Sequence, residues 1–178
     1  MSIEALRNAL PAYAHDVGVN LAAIAGETTL TVPQKWGAFV AAAHAVGEPV
    51  TLRAVRAAAV AAGLSDAAAS AAKTAAALMA MNNVYFRALH LMENGAYRRL
   101  PARLRRNLLA HPGADKVDFE LWELVVSAIN GCGACLDAHE AELRKRGVPA
   151  EAITAALRIA AVVNAAARVL AAEAALAS

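Results

Sequence analysis

The chain has 178 residues, 59% of them apolar, and a net charge of +2 from 17 basic and 15 acidic side chains. That length fits one domain with a sizeable core, and so even a charge balance leaves no electrostatic footprint for nucleic acid. Much of the apolar content is alanine, the best helix former, and no run without a charge exceeds the 13 residues found between Lys73 and Arg87, fewer than the roughly 18 that a membrane span requires.

Apolar positions recur at helical spacing through most of the chain, and no run alternates with period two for long enough to form a strand. The expected fold class is all-α. The opening Met1-Ser2-Ile3-Glu4-Ala5-Leu6-Arg7 has an early acid and no basic cluster ahead of an apolar stretch, unlike a secretory leader, so a cytoplasmic protein is expected. Breakers follow at Pro11, Gly26 to Pro33, Gly47 to Pro49, Gly63, Pro101, His111-Pro112-Gly113, Asn130-Gly131 and Gly147 to Pro149. They leave about eight helices.

Along these segments, Trp36 and Trp122 sit among apolar positions in a core pattern, and Trp122 could also wall a substrate pocket. Met79, Met81 and Met92, in or near an alanine-rich helix, read as core filling or subunit contact. The run Arg98, Arg99, Arg103, Arg105, Arg106 reads as a solvated face or subunit contact, because Tyr97 alone interleaves with it. His15, His44, His90 and His111 have no partner at ligand spacing and are assigned no function.

Two stretches look like copies. Trp36-Gly-Ala-Phe-Val-Ala-Ala-Ala lies over Trp122-Glu-Leu-Val-Val-Ser-Ala-Ile, and Gly63-Leu-Ser-Asp-Ala-Ala-Ala-Ser-Ala-Ala lies over Gly147-Val-Pro-Ala-Glu-Ala-Ile-Thr-Ala-Ala. The expected organisation is one domain over 1–178 with an internal repeat, roughly 34–90 and 118–175. Reactive cysteines belong to the second copy alone, since the first has Val46-Gly47-Glu48-Pro49 near the equivalent place.

The two cysteines, Cys132 and Cys135, lie three apart, a spacing that suits redox chemistry rather than a disulfide framework. Asn130-Gly131 marks a turn, so a helix is expected to start near Cys132, where unpaired N–H groups and the macrodipole favour a thiolate. His139, four beyond Cys135, falls on the same helical face, and a base beside a thiol is the minimal activated nucleophile. Structural zinc needs four protein ligands and no second cysteine pair exists, so no metal is expected. A thioredoxin domain would need a strand before the motif, and none is predicted.

The segment Phe119-Glu-Leu-Trp-Glu-Leu-Val-Val-Ser-Ala-Ile-Asn-Gly-Cys-Gly-Ala-Cys-Leu-Asp-Ala-His-Glu resembles the alkyl hydroperoxide reductase D (AhpD) family of the carboxymuconolactone decarboxylase-like superfamily. The opening Met-Ser-Ile-Glu-Ala-Leu-Arg-Asn-Ala-Leu-Pro-Ala-Tyr-Ala, Met81-Asn-Asn-Val-Tyr-Phe-Arg and Asn107-Leu-Leu-Ala-His-Pro-Gly extend the likeness over the whole chain. The resemblance implies an all-α fold of two related halves, a homotrimer, and antioxidant hydroperoxide reductase activity. It implies electrons from the lipoyl group of a 2-oxoacid dehydrogenase component, a peroxiredoxin partner, AhpC, and no bound cofactor.

Carried onto this sequence, it makes Cys135 the peroxide-attacking thiol and Cys132 the resolving thiol, joined as a disulfide after turnover, with Glu120 and His139 the proton relay. One position departs from the pattern: a histidine stands before the second cysteine in family members of this type, and this chain has Ala134. That implies a shorter relay. Two other readings are an electron-transfer adaptor with little peroxidase activity and a decarboxylase-like enzyme of the same superfamily.

Overall fold

The computed structural model describes residues 2–109 and 112–177, with the side chain of Leu109 also left aside; His111 lies outside the described residues. Among the described residues eight α-helices run in order: α1 (Ile3–Asn8), α2 (His15–Ala25), α3 (Val32–Val46), α4 (Pro49–Ala61), α5 (Asp66–Leu91), α6 (Lys116–Ile129), α7 (Gly133–Lys145) and α8 (Ala150–Leu176). Three short 3₁₀ turns join them, and no strand occurs among the described residues. This is the all-α architecture expected from the helical spacing.

The helix starts follow from local chemistry. Thr31 and Gln34 form a capping box at α3, where Gln34 N–H donates to Thr31 Oγ1 and Thr31 N–H donates to Gln34 Oε1. Ser65 caps α5 through the Ala68 N–H, and Asp115 caps α6 through the N–H groups of Val117 and Asp118. At α4 the cap is a buried carboxylate: Glu48 accepts from Val50 N–H at 2.8 Å and Thr51 N–H at 2.6 Å. Glu48→Ala should lower stability by about 1–2 kcal/mol and Tm by roughly 2–8 °C, measured by calorimetry.

Two helices form the centre. Trp36 to Ala43 on α3 and Leu121 to Ser127 on α6 are buried without a break, as befits helices covered on all sides. Helix α3 packs on α5, α6 and α8, and α6 packs on α5, α7 and α8. Alanines on the surrounding helices, such as Ala72, Ala75, Ala155 and Ala156, are fully or almost fully buried at these contacts, so the thin side chains let axes approach closely.

By length and composition, α8 is apolar enough to cross a membrane, which counting uncharged runs misses because Arg158 and Arg168 interrupt it. In this fold its Ala156, Ile159, Val163 and Ala167 are buried and the helix packs on α2, α3 and α6.

Helices α3, α4 and α5 and helices α6, α7 and α8 start at a constant separation: Val32 and Lys116, Pro49 and Gly133, and Asp66 and Ala150 are each 84 residues apart. Trp36 and Trp122, 86 apart, are two residues out of that register. At the 84-residue spacing, the N-cap Glu48 of α4 corresponds to Cys132, the N-cap of α7.

Candidate active site

The end of α6 sets the position of the cysteines. Gly131 takes a left-handed φ of 65°, which costs glycine nothing, and this turns the chain so that Cys132 N–H donates to Ser127 C=O and Gly131 N–H to Ala128 C=O. That double closure is a Schellman turn. It leaves Cys132 both just beyond α6 and at the N-cap of α7, as the sequence led us to expect.

From α5, Asn83 Nδ2 donates to Ser127 Oγ at 2.9 Å and Asn83 Oδ1 accepts from Asn130 Nδ2 at 3.0 Å. Arg87 donates to the Asn130 carbonyl. The turn that carries the cysteines is therefore held from a second helix, by the buried Asn83 and the exposed Arg87.

Cys132 and Cys135 are joined as a disulfide, with Cα atoms 5.3 Å apart. They are not equivalent. Cys132 is completely buried, whereas Cys135, 8% exposed, lines a pocket of about 480 Å3 between α5, α6 and α7. No side chain caps the start of α7, so its positive end is left to act on the sulfurs.

His139 and Glu120 line the same pocket. His139 Nδ1 is 2.6 Å from Glu120 Oε1; with the carboxylate accepting, Nδ1 carries the proton of that hydrogen bond. All four residues singled out in the sequence thus meet in one place. Trp122, by contrast, is wholly buried in the core, its Nε1–H donating to the Gln34 carbonyl at 3.3 Å, and it does not wall the pocket.

The pocket also holds groups that the sequence did not announce. Arg106, grouped above with a solvated arginine run, reaches the pocket and stacks over the Phe86 ring at 5.6 Å. Glu123, 3% exposed, has Oε2 4.0 Å from His139 Nδ1 and an Oε1 with no hydrogen-bond partner within the chain. Asn82 Oδ1, also in this pocket, is similarly unpartnered. These buried atoms keep unused hydrogen-bonding capacity at the wall of the pocket.

Burial first, and the Glu120 charge second, push the Glu123 carboxyl up from an ordinary 4.5 to about 8, against a weaker pull from Arg106. It therefore holds its proton at neutral pH. Glu120, Glu123 and His139 offer atoms within 4.8 Å of one another, but His139 Nδ1 is already engaged by Glu120 and the trio lacks the fourth ligand of structural zinc. It is an acid–base cluster in which Glu120 and His139 share a hydrogen bond and Glu123 stands beside them. A signal for Glu123 does exist in the sequence, as a lone acid inside Leu121-Trp122-Glu123-Leu124-Val125-Val126, where acids are rarely buried without a reason.

An accessible disulfide sulfur beside a carboxylate–imidazole pair, on a helical frame, defines a thiol–disulfide redox protein of the helical kind. The sequence profile of the carboxymuconolactone decarboxylase family matches residues 95–178. Over nearly the full length, the chain is 65% identical to the alkyl hydroperoxide reductase AhpD of Caulobacter vibrioides, across 99% of this chain and 96% of the relative. It is 61% identical to that of Hyphomonas neptunium, across 100% and 98%, and 60% identical to that of Maricaulis maris, across 97% and 99%. The chain belongs to the AhpD family.

Proposed function

We propose that this protein is an antioxidant alkyl hydroperoxide reductase in which Cys135 is the attacking thiol, Cys132 the resolving thiol, and Glu120 with His139 the proton relay. The observation that carries the reading is the difference in access: of the two bonded sulfurs, the one on the pocket, beside His139 and Glu120, belongs to Cys135. The Cys135 thiolate attacks the distal peroxide oxygen, the O–O bond breaks, and an alkoxide leaves while Cys135 becomes a sulfenic acid. The Cys132 thiol then displaces water from that sulfur to form the disulfide. An external dithiol restores both thiols by exchange.

Ala134 lines the pocket and offers no imidazole, which fits a relay confined to the carboxylates and His139. The resemblance supports a dihydrolipoyl group of a 2-oxoacid dehydrogenase component as the electron donor, AhpC as a partner peroxiredoxin, a homotrimer and a cytoplasmic location. The constant 84-residue separation of helix starts supports a duplicated three-helix unit within one domain over 1–178.

Consumption of tert-butyl hydroperoxide by the purified protein with dihydrolipoamide as reductant tests this reading. Wild type should turn over, and Glu120→Ala should be slower by roughly a hundredfold. An adaptor that only relays electrons would tolerate Glu120→Ala and show no peroxide turnover of its own despite a reducible disulfide, which would displace the reductase reading.

A further inference from the structure

We propose that Glu123 is the general acid of the site, the group that protonates the alkoxide leaving as Cys135 attacks. The assignment rests on the reductase reading above and names the proton donor that the reading requires. Two carboxyl groups flank one imidazole nitrogen, yet they are placed differently. Glu120, at 2.6 Å, takes the hydrogen bond of His139 Nδ1, whereas Glu123 stands 4.0 Å off with Oε1 unpartnered, on the pocket that Cys135 lines. Glu120 therefore orients the ring, and Glu123 keeps a buried, unpartnered oxygen at the wall of the pocket.

Protonation state separates them further. Burial and the neighbouring Glu120 charge keep the Glu123 carboxyl neutral at pH 7, and a neutral carboxylic acid can donate a proton where a carboxylate cannot. The charged groups that face it are Glu120 on its own helix, His139 on α7 and Arg106 on the connection before α6, with Lys116 and Arg146 exposed at the rim. Helix α5 faces the pocket with Met79, Asn82 and Phe86, none of which titrates. Arginine stays protonated throughout and is no proton source.

In the step, a sulfur lone pair of Cys135 forms the S–O bond and the O–O bonding pair leaves on the alkoxide oxygen. The proton of Glu123 goes to that oxygen and releases the alcohol. The carboxylate left behind is buried beside Glu120 and recovers its proton from solvent. Over the cycle, one hydroperoxide and two thiols become one alcohol, one water and the disulfide.

The test is single-turnover oxidation of the pre-reduced protein by tert-butyl hydroperoxide on either side of pH 8, with iodoacetamide alkylation of Cys135 as a parallel readout of the thiolate. Wild type should lose rate as pH rises through about 8. Glu123→Gln should be slower by roughly a hundredfold at pH 7 and lack that falling limb, with alkylation unchanged. Glu123→Leu should show the same loss. Because the folded carboxyl binds its proton more tightly than the unfolded one, Glu123 costs stability as pH rises from 4.5 towards 8, so Glu123→Leu should melt no lower than wild type above that range.

Wild-type rate and limb retained in Glu123→Gln would reduce Glu123 to a structural residue and overturn the assignment. So would a parallel loss of alkylation, which would place its effect on the thiol. Failure of wild type itself to oxidise, with alkylation intact, would instead overturn the reductase reading and this assignment with it.

Discussion

Cys135→Ser should bring hydroperoxide consumption to background, a loss of more than about a thousandfold, because the step that breaks the O–O bond has no other nucleophile. Cys132→Ser should abolish turnover equally but leave a different species: one equivalent of peroxide is consumed and Cys135 is held as a sulfenic acid, which dimedone traps and mass spectrometry reads. The two variants part company because Cys132 is fully buried while Cys135 lines the pocket. Were Cys132→Ser to leave Cys135 unreactive and Cys135→Ser to leave a peroxide-reactive Cys132, the order of the two thiols would be reversed.

Gly37→Ala should be the most destabilising single methyl in the molecule. A Cβ at Gly37 would lie under 3.0 Å from Cε2, Cζ2 and Nε1 of Trp122, a side chain that is completely buried and cannot swing aside. Overpacking of this kind costs about 3 kcal/mol or more, a Tm fall of roughly 6–12 °C for a domain of this size. Activity should fall too, because Trp122 sits between Glu120 and Glu123 on α6, and shifting it moves both carboxyls. Adding Trp122→Phe should recover part of the loss, since neighbours in contact are not additive. Calorimetry of the single and double variants decides it; an unshifted Tm for Gly37→Ala would mean that α3 and α6 separate without penalty.

The helix boundaries were legible because breakers act locally, Gly26 to Pro33 and Gly63 among them; the caps that fix the first turns, Thr31 with Gln34, Ser65 and Asp115, came from the structure. The cysteine pair and His139 were legible for the same reason, since spacings of three and four on one helix fix which side chains share a face. Glu120 was different. It is 19 residues from His139 in sequence and 2.6 Å away in space, and only the α6–α7 turn, with Gly131 at its apex, brings them together.

Glu123 and Arg106 were hidden for opposite reasons. Glu123 stands alone in an apolar run, which hints at burial, but a glutamate in a helix is ordinarily solvated and nothing in its spacing reveals that α5 and α7 close over it. Arg106 belongs to a connection outside the α-helices, whose direction no periodicity encodes, so its place over Phe86 emerges only in three dimensions. By composition alone, α8 looks membrane-like, yet two arginines interrupt it and in the fold its apolar face packs on α2, α3 and α6.

The N-cap of α7 has one more consequence. In the first triplet the same place is held by Glu48, an anion clamped by two backbone amides; in the second it is held by Cys132, whose sulfur is tied up in the disulfide and caps nothing. In the proposed exchange a dithiol attacks Cys135 and the Cys132 sulfur leaves as a thiolate at a helix start, which favours a negative charge. Reduction would thereby place a negative charge at the α7 start, where 84 residues earlier the Glu48 carboxylate caps α4.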